Sequence, residues 1–511
     1  MKTIMAANSS GFNEKVMPVQ VFAGQNSDSP QSRIQINEFS SLINVDFNSK
    51  SPGTRQGVET FVTGMDGTVL FAYEFKASAD SSAKVCYVTS KRKFYTTTTA
   101  GASLTLVSMP QTGTISYCNG VMLDDALYFV DGTYLYKYNG STISDVTASL
   151  PALGTPVDVA KMQNRLWVLT ADYIIYSVVG DPDDLTTTMD GAGSIQIDSK
   201  DGTKNKNIYE WGSTLVVSKG DESTFRYASY WVQGTGTTSD PFYYESLIGD
   251  SKSPTGFVGK SGVKIGNDLI GLTFDGVTTI SAINNFQKAD GDLISVQVND
   301  VIKNINFGLV NLIQGLYESA DKRYFLSFAM NGRVVSDYIL VYDTTFDRWS
   351  TYQGKEVRSW FTIGRGVYFG SVNGTVYHLS DEFNDDGMSF PWSMTTGEIS
   401  FGQPDVVKLF KSIELELDYS DSLILDVQFT IDGVKLDKMQ IELTSPGSRW
   451  DEAYWDIDSW DGQGSEKVTI YVLARGKSIK TSISSGQLDS PLFLKGITYR
   501  YIEKDSGSAK P

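Results

Sequence analysis

The amino-acid sequence predicts an all-β protein, and three observations carry that expectation. A hairpin-like unit recurs from about residue 70 to residue 380. Gly, Asn and Asp dipeptides punctuate the chain at short intervals, and 47 Gly, 27 Tyr and 26 Phe among 511 residues break helices and suit pleated, half-buried surfaces. Beyond residue 390, apolar and polar residues alternate strictly, as on strands with one buried face.

The clearest copy of the unit is Lys322–Tyr352, KRYFLSFAMNGRVVSDYILVYDTTFDRWSTY. Arg323–Met330 is aromatic and branched, Asn331-Gly332 is the dipeptide of a tight hairpin turn, and Ser336–Asp343 alternates before another turn and Trp349. One such sheet cannot bury both of its faces alone, so neighbours with the same pattern must stack against it.

In chain order, Met1–Gly64 lacks the unit. Its apolar positions Ile34, Ile36, Phe39, Leu42, Ile43, Val45 and Phe47 lie between loop signals at Asp28-Ser29-Pro30 and Lys50-Ser51-Pro52-Gly53, which predicts an arm anchored to something else. Val69–Thr97 then gives VLFAYEF, KVCYVTS and KFYTT, three short strands. Further copies are Ile115–Gly140, Val157–Gly180, Lys206–Ser229, Gly262–Ser281, the unit around Lys322, and Ser359–Ser380. Their second strands begin near Val85, Leu127, Leu166, Leu215, Leu269, Tyr324 and Val367, an interval of about 39 to 55 residues. That period belongs to four-stranded propeller blades. The first unit is degenerate and one sheet can be completed by strands from both ends of the region, which leaves six or seven blades open. One helix is expected within Ser295–Gly315, where Val298, Val301, Ile302, Ile305 and Leu309 share a helical face.

After residue 390 the period changes. Ile413, Leu415 and Leu417 are placed to face a core and Glu414, Glu416 and Asp418 to face water, and LILDVQFTIDG, KMQIELTSPGS, KVTIYVLARGKSIKTSIS and LFLKGITYRYIEK continue the series. The expected organisation is an assembly arm over 1–64, a six- or seven-bladed β-propeller over 65–390, a β-sandwich over 391–505 and a polar tail over 506–511.

Composition narrows the function. Forty-three Lys and Arg against 60 Asp and Glu give a net charge of −17, which argues against a general nucleic-acid-gripping surface. No stretch approaches the length of apolar sequence that spans a bilayer, and Met1–Gly11 lacks an apolar run of signal-peptide length, so a soluble product made in the cytoplasm is expected. Cys86 and Cys118 are too few for a disulfide framework and are expected as packed thiols.

His378 is the only histidine, so a two-histidine metal site cannot be assembled, and its place in VYHLS suits an ordinary strand position. No phosphate-cradling glycine loop is present; Gly364-Arg365-Gly366 suits a blade turn. Neither catalytic nor cofactor-binding residues are expected, and no cofactor. Two acidic clusters remain: Asp181, Asp183 and Asp184 in GDPDDL, and Asp381, Glu382, Asp385 and Asp386 in SDEFNDDGMS. Solvated turns, structural calcium and carboxylate catalysis are the three readings, and turns that bond their own backbone are the leading one. The basic loops Lys91-Arg92-Lys93 and Lys200–Lys206 are read as solvated, with contact to an acidic partner as the alternative.

Two resemblances follow. YDTTFDRWSTY is similar to a kelch-blade ending, once and without the kelch double glycine. More broadly, FAGQNSDSPQSRIQINEFSSLINVDFNSKSPGTRQG, then YSVVGDPDDL, IYEWGSTLVVSKGDESTFRY and ILVYDTTFDRWSTY, then VKLFKSIELELD, FTIDG, GKSIKTSIS and FLKGITYRYIEK, resemble in order the segments of tail hub or nozzle proteins of short-tailed bacteriophages. The resemblance implies a structural, non-enzymatic virion protein assembled in the host cytoplasm. Its copies would form a homo-oligomeric ring, usually hexameric, below portal and adaptor proteins and beside tail fibres. The ring would enclose a channel for double-stranded DNA. Asp183, Asp184, Asp385 and Asp386 are the channel-lining candidates on this reading. The alternative is a secreted or surface carbohydrate-binding or carbohydrate-active propeller.

Overall fold

The computed structural model describes residues 14–77, 82–198, 202–224, 226–247, 256–283, 288–444 and 464–503. The polar tail and all of Met1–Gly11 lie outside these residues, as do Lys200 and Asp201 of the second basic loop. The chain forms two compact units. One comprises Val58–Asp347 with Tyr352–Ser380, the other the described residues of Met1–Gly57, Arg348–Thr351 and Asp381–Pro511.

The first unit is a seven-bladed β-propeller. Six of its antiparallel sheets follow chain order, and their first strands are Val69–Phe75, Asn119–Leu123, Pro156–Met162, Lys204–Trp211, Val263–Ile265 and Gln314–Glu318. The seventh is Ser359–Ile363, Gly366–Gly370 and Val376–Leu379, completed by Val58–Val62 from the other end of the region. Each first strand neighbours the first strand of the next sheet, and Ser359–Ile363 returns beside Val69–Phe75, where the Ser359 hydroxyl donates to the Val69 carbonyl at 3.0 Å. The ring is therefore closed with seven members. Second strands begin at Lys84, Ala126, Arg165, Thr214, Asp268, Arg323 and Gly366, each within a residue or so of its expected start.

Local chemistry explains the blades. Asp124 and Asp125, with φ of 46° and 59°, form the two-residue turn between the first strands of the second blade, and Gln163 and Asn164, at 52° and 55°, do the same in the third. Short apolar side chains and rings then fill the gaps between sheets. Leu166, Val168 and Ile175 of the third blade pack with Val121, Tyr128 and Val130 of the second, while the other face of the third carries Trp167 and Leu169 against Ile208, Leu215 and Val217 of the fourth. The second strands, such as Ala126–Val130, Arg165–Thr170 and Arg323–Phe328, are thus buried on both faces, which is why they read as apolar runs rather than as clean alternation.

Two expectations need adjustment here. Gly332 has the left-handed φ of +80° that its turn requires, but the strands end at Phe328 and resume at Tyr338, so Asn331-Gly332 is not a two-residue hairpin. The connection is held elsewhere: the Asn331 amide donates to the Asn304 carbonyl at 2.7 Å, and Asn306 Nδ2 donates to the Arg333 carbonyl at 3.0 Å. Ser295–Gly315 supplies those partners and is a chain of short turns, with one α-helix of five residues, Asn299–Lys303, between 3-10 turns Val296–Val298 and Phe307–Leu312. Val298, Val301, Ile302 and Ile305 are buried and Leu309 is half-buried, but only Val301 and Ile302 lie within the helix, so the five do not share one helical face.

The second unit is a β-sandwich built from both ends of the chain. One sheet runs Gly464–Gly476, Lys408–Tyr419, Leu492–Glu503, Ser51–Thr54 and Val45–Asn48, with Glu14–Val19 also antiparallel to Leu492–Glu503. The other places Glu38–Ile43 beside Trp392–Thr396, then Ile479–Ser485 and Leu423–Ile431. Phe22, Phe39, Leu42 and Val45 share one core with Phe410, Ile413, Leu415, Leu417, Phe429, Ile483 and Leu494. The segment expected as a separate arm is therefore sandwich up to Gly57, and Val58–Val62 is blade. The physical reason is apolar content: the arm's spaced hydrophobic residues are the missing part of a core that residues 391–505 only half supply. Glu414, Glu416 and Asp418 are half-buried rather than fully in water, because Lys408–Tyr419 is a central strand whose neighbours bring Lys467, Arg500 and Lys495 within 3.2–3.6 Å of Glu414 and Asp418.

Candidate functional site

The four acidic candidates separate. Asp184 lies in the loop leaving Tyr173–Tyr176, where its Oδ1 accepts from the amides of Thr186 and Thr187 at 3.0 and 2.9 Å. Hydrogen bonds from Thr187 and Thr186 hold its carboxyl down at about 2. Asp183, exposed in the same turn, accepts from the Tyr128 hydroxyl at 2.9 Å and pairs with Lys137. These carboxylates therefore organise a loop and bind it to the second blade.

Asp385 folds inward within the second unit. It is 7% exposed and forms a two-pronged pair with Arg55, itself 3% exposed, Nη1–Oδ1 at 2.9 Å and Nη2–Oδ2 at 2.8 Å. The same guanidinium donates from Nε to Asn44 Oδ1 at 3.0 Å and lies 3.9 Å from the Phe390 ring centre. Asp386, next in the turn, is exposed with a φ of 59°. The sequence signal, a run of carboxylates, did not distinguish the one that folds inward.

The remaining motifs are absorbed by the fold. His378 stacks on Tyr368 at 5.6 Å within the seventh blade, with Nε2 3.7 Å from the Glu59 carboxylate. Burial pushes both cysteine thiols up, and both are unbridged. In the basic loops Arg92 pairs with Asp131 at 2.8 Å, Lys93 with Asp66 at 2.6 Å, Lys204 with Asp172 at 2.7 Å and Lys206 with Glu222 at 2.8 Å. Among the described residues no three His, Cys, Asp or Glu side chains converge as metal ligands do, and no helix is long and apolar enough to cross a membrane.

What sequence reasoning missed is the propeller axis. Asn119, Asp158, Asn207, Gln314 and Ser359, each near the start of a blade's first strand, line a space of about 190 Å³ together with Lys260. Asp158 ties three blades together: its Oδ1 accepts from Asn119 Nδ2 at 2.6 Å and its Oδ2 from the Ile208 amide at 3.0 Å. Burial raises its carboxyl, opposed by those hydrogen bonds and by Lys260. Lys260 leads into the fifth blade and reaches the Cys118 carbonyl at the start of the second, with Nζ 4.4 Å from the Tyr117 ring centre. Burial pulls its ammonium down, opposed by Cys118 and Asp158. A lysine side chain thus reaches from the fifth blade to the second. The signal available in the sequence was the recurrence of a polar residue at the start of the first strand, in the least regular strand of each copy.

No family model matches the chain, and no curated protein does. Solved structures with some likeness include YCF48 from Cyanidioschyzon merolae, at 9% identity and a TM-score of 0.44, covering 63% of this chain and 98% of that one. Another is BBS1N in complex with ARL6DN, at 13% identity and a TM-score of 0.40, covering 62% of this chain and 94% of that one. The blade count stands on the strand pairing and ring closure described above.

Proposed function

We propose that this chain is a structural subunit of the tail hub or nozzle of a short-tailed bacteriophage. Several copies, six on the family pattern, form a ring that holds and then releases double-stranded DNA. It works without a cofactor or catalysis, against portal, adaptor and tail-fibre proteins. The observation that carries this reading is the order of the resembling segments over nearly the whole chain, from FAGQNSDSPQSRIQINEFSS to FLKGITYRYIEK. Two features of the fold agree with it. The first and last of those segments contribute strands to one sandwich, so both ends of the resemblance belong to one compact unit. The net charge of −17 disfavours adhesion to phosphates, whose neutralisation by each Lys or Arg would add affinity that a moving duplex must break.

The axial geometry bears on where a passage could run. Spaces of about 190–360 Å³ at the propeller axis are of small-molecule size, and Lys260 crosses them. The major groove of duplex DNA alone is about 12 Å wide. On the nozzle reading DNA runs between copies, never through a propeller. The test is the virion itself: mass spectrometry of purified particles from the source locus is expected to find this chain at a fixed multiple of the portal. Portal and adaptor genes are expected beside its gene. Absence from the particle, or neighbouring sugar-utilisation genes and a signal for export, overturns the reading in favour of the carbohydrate propeller.

A further inference from the structure

A second space beside Lys260 has a volume of about 360 Å³. Its wall carries Lys260 and Arg358, with no Asp or Glu, and its apolar part includes Leu70, Leu309, Val310 and Leu312. Lys260 has three ammonium donors and directs one hydrogen bond, to the Cys118 carbonyl. Two donors are thus unspent among the described residues. Asp158 offsets the lysine's charge through space, while its own hydrogen bonds are accepted from Asn119, the Val159 amide and the Ile208 amide. Arg358 is half spent in the same sense: Nη2 pairs with Glu356 at 2.5 Å, while the buried Nε has no hydrogen-bond partner.

Lys260 is half-buried, and one carbonyl and one ring face replace only part of the solvation its ammonium loses. A cavity of this size with an apolar floor and a few convergent polar groups is the ordinary form of a small-ligand site. The remaining ammonium donors decide the ligand's head, and the apolar floor decides its body.

We propose that this cavity binds a small organic anion, its carboxylate or phosphate head on Lys260 and its apolar body against Leu309, Val310 and Leu312. The inference is independent of the nozzle reading, because it uses the propeller alone. Bound there, the anion adds a charge-assisted bond to the lysine that joins the second and fifth blades, and so stiffens the ring across its axis. The downward pull of burial on the Lys260 ammonium is relieved at the same time.

The test is calorimetric titration of the full chain with benzoate and with benzamide, which has the same body without the charge. Benzoate is expected to bind one to one and at least about tenfold more tightly than benzamide, the worth of a charge-assisted hydrogen bond. Lys260→Met, with unchanged circular dichroism, is expected to abolish that preference. Val310→Phe, which fills the cavity and keeps the lysine, is expected to abolish binding of both, and decides the case if Lys260→Met does not fold. Equal binding of the two probes by the wild type overturns the proposal, as does an absence of benzoate binding. A preference for benzoate that survives either folded variant also overturns it, by placing the anion elsewhere.

Discussion

Replacing Asp385 by Ala should destabilise the sandwich strongly, because it strands a guanidinium that the fold has removed from water. Arg55 is 3% exposed, and its two bonds to Asp385, 2.8 and 2.9 Å long, compensate its charge beside contacts with Asn44, Gln56 and Phe390. Breaking a buried pair by removing one partner costs about 3–5 kcal/mol. The unit concerned has roughly 190 residues, for which each kcal/mol moves the melting temperature by about 2–4 °C, so a fall of about 6–20 °C is expected. The double variant Arg55→Met with Asp385→Ala removes both charges and should recover about 2–3 kcal/mol relative to the sum of the single variants. Scanning calorimetry of the four proteins reads both quantities. A shift below about 2 °C for Asp385→Ala, or strict additivity in the cycle, would refute the argument that this carboxylate is a structural counter-ion and restore it as a candidate for the channel wall.

Three other outcomes follow from the same geometry. Val58→Asp places a charge in the strand that closes the seventh blade, where Val58 is 3% exposed, and should cost several kcal/mol and open that blade to limited proteolysis; an unchanged digestion pattern would mean that closure is dispensable. Asp184 should titrate near 2 by NMR, since its folded value lies below the ordinary carboxylate value. Its stabilising effect is present above that ordinary value and is lost as pH falls through about 2, and a midpoint near 4 would remove its capping role. On the nozzle reading, Asp183→Lys and Asp386→Lys should leave tails assembled but slow DNA delivery, more at low salt, and unchanged ejection kinetics in assembled particles would contradict the non-adhesive wall.

The propeller was legible because each blade repeats the same local requirements. Paired Asp124-Asp125 or Gln163-Asn164 at φ > 0 write the turns, and residues such as Leu166–Leu169, buried on both faces, write the strands. Closure by Val58–Val62 was only half legible: a strand from the other end was foreseeable, but the five residues VETFV carry no sign of their partner Val376–Leu379, which lies more than 300 positions away. Long-range pairing also hid the sandwich's true extent. Glu14–Val19 is mostly exposed and has no strong pattern, yet it pairs residue for residue with Ile497–Ile502. The axial site was least legible of all, since Lys260 and Asp158 are unremarkable in sequence and meet only when seven strand starts converge.

One chain folds a closed seven-bladed ring, and on the nozzle reading copies of the chain then form a second, larger ring around DNA. Cryo-electron microscopy of the purified full chain, alone and in tails, tests both levels in one reconstruction. The prediction is seven sheets per subunit, density for the Lys260 side chain across each propeller axis, and a central passage of duplex width bounded by several subunits. A monomer that never assembles in tails, or DNA density threading a propeller axis, would contradict it.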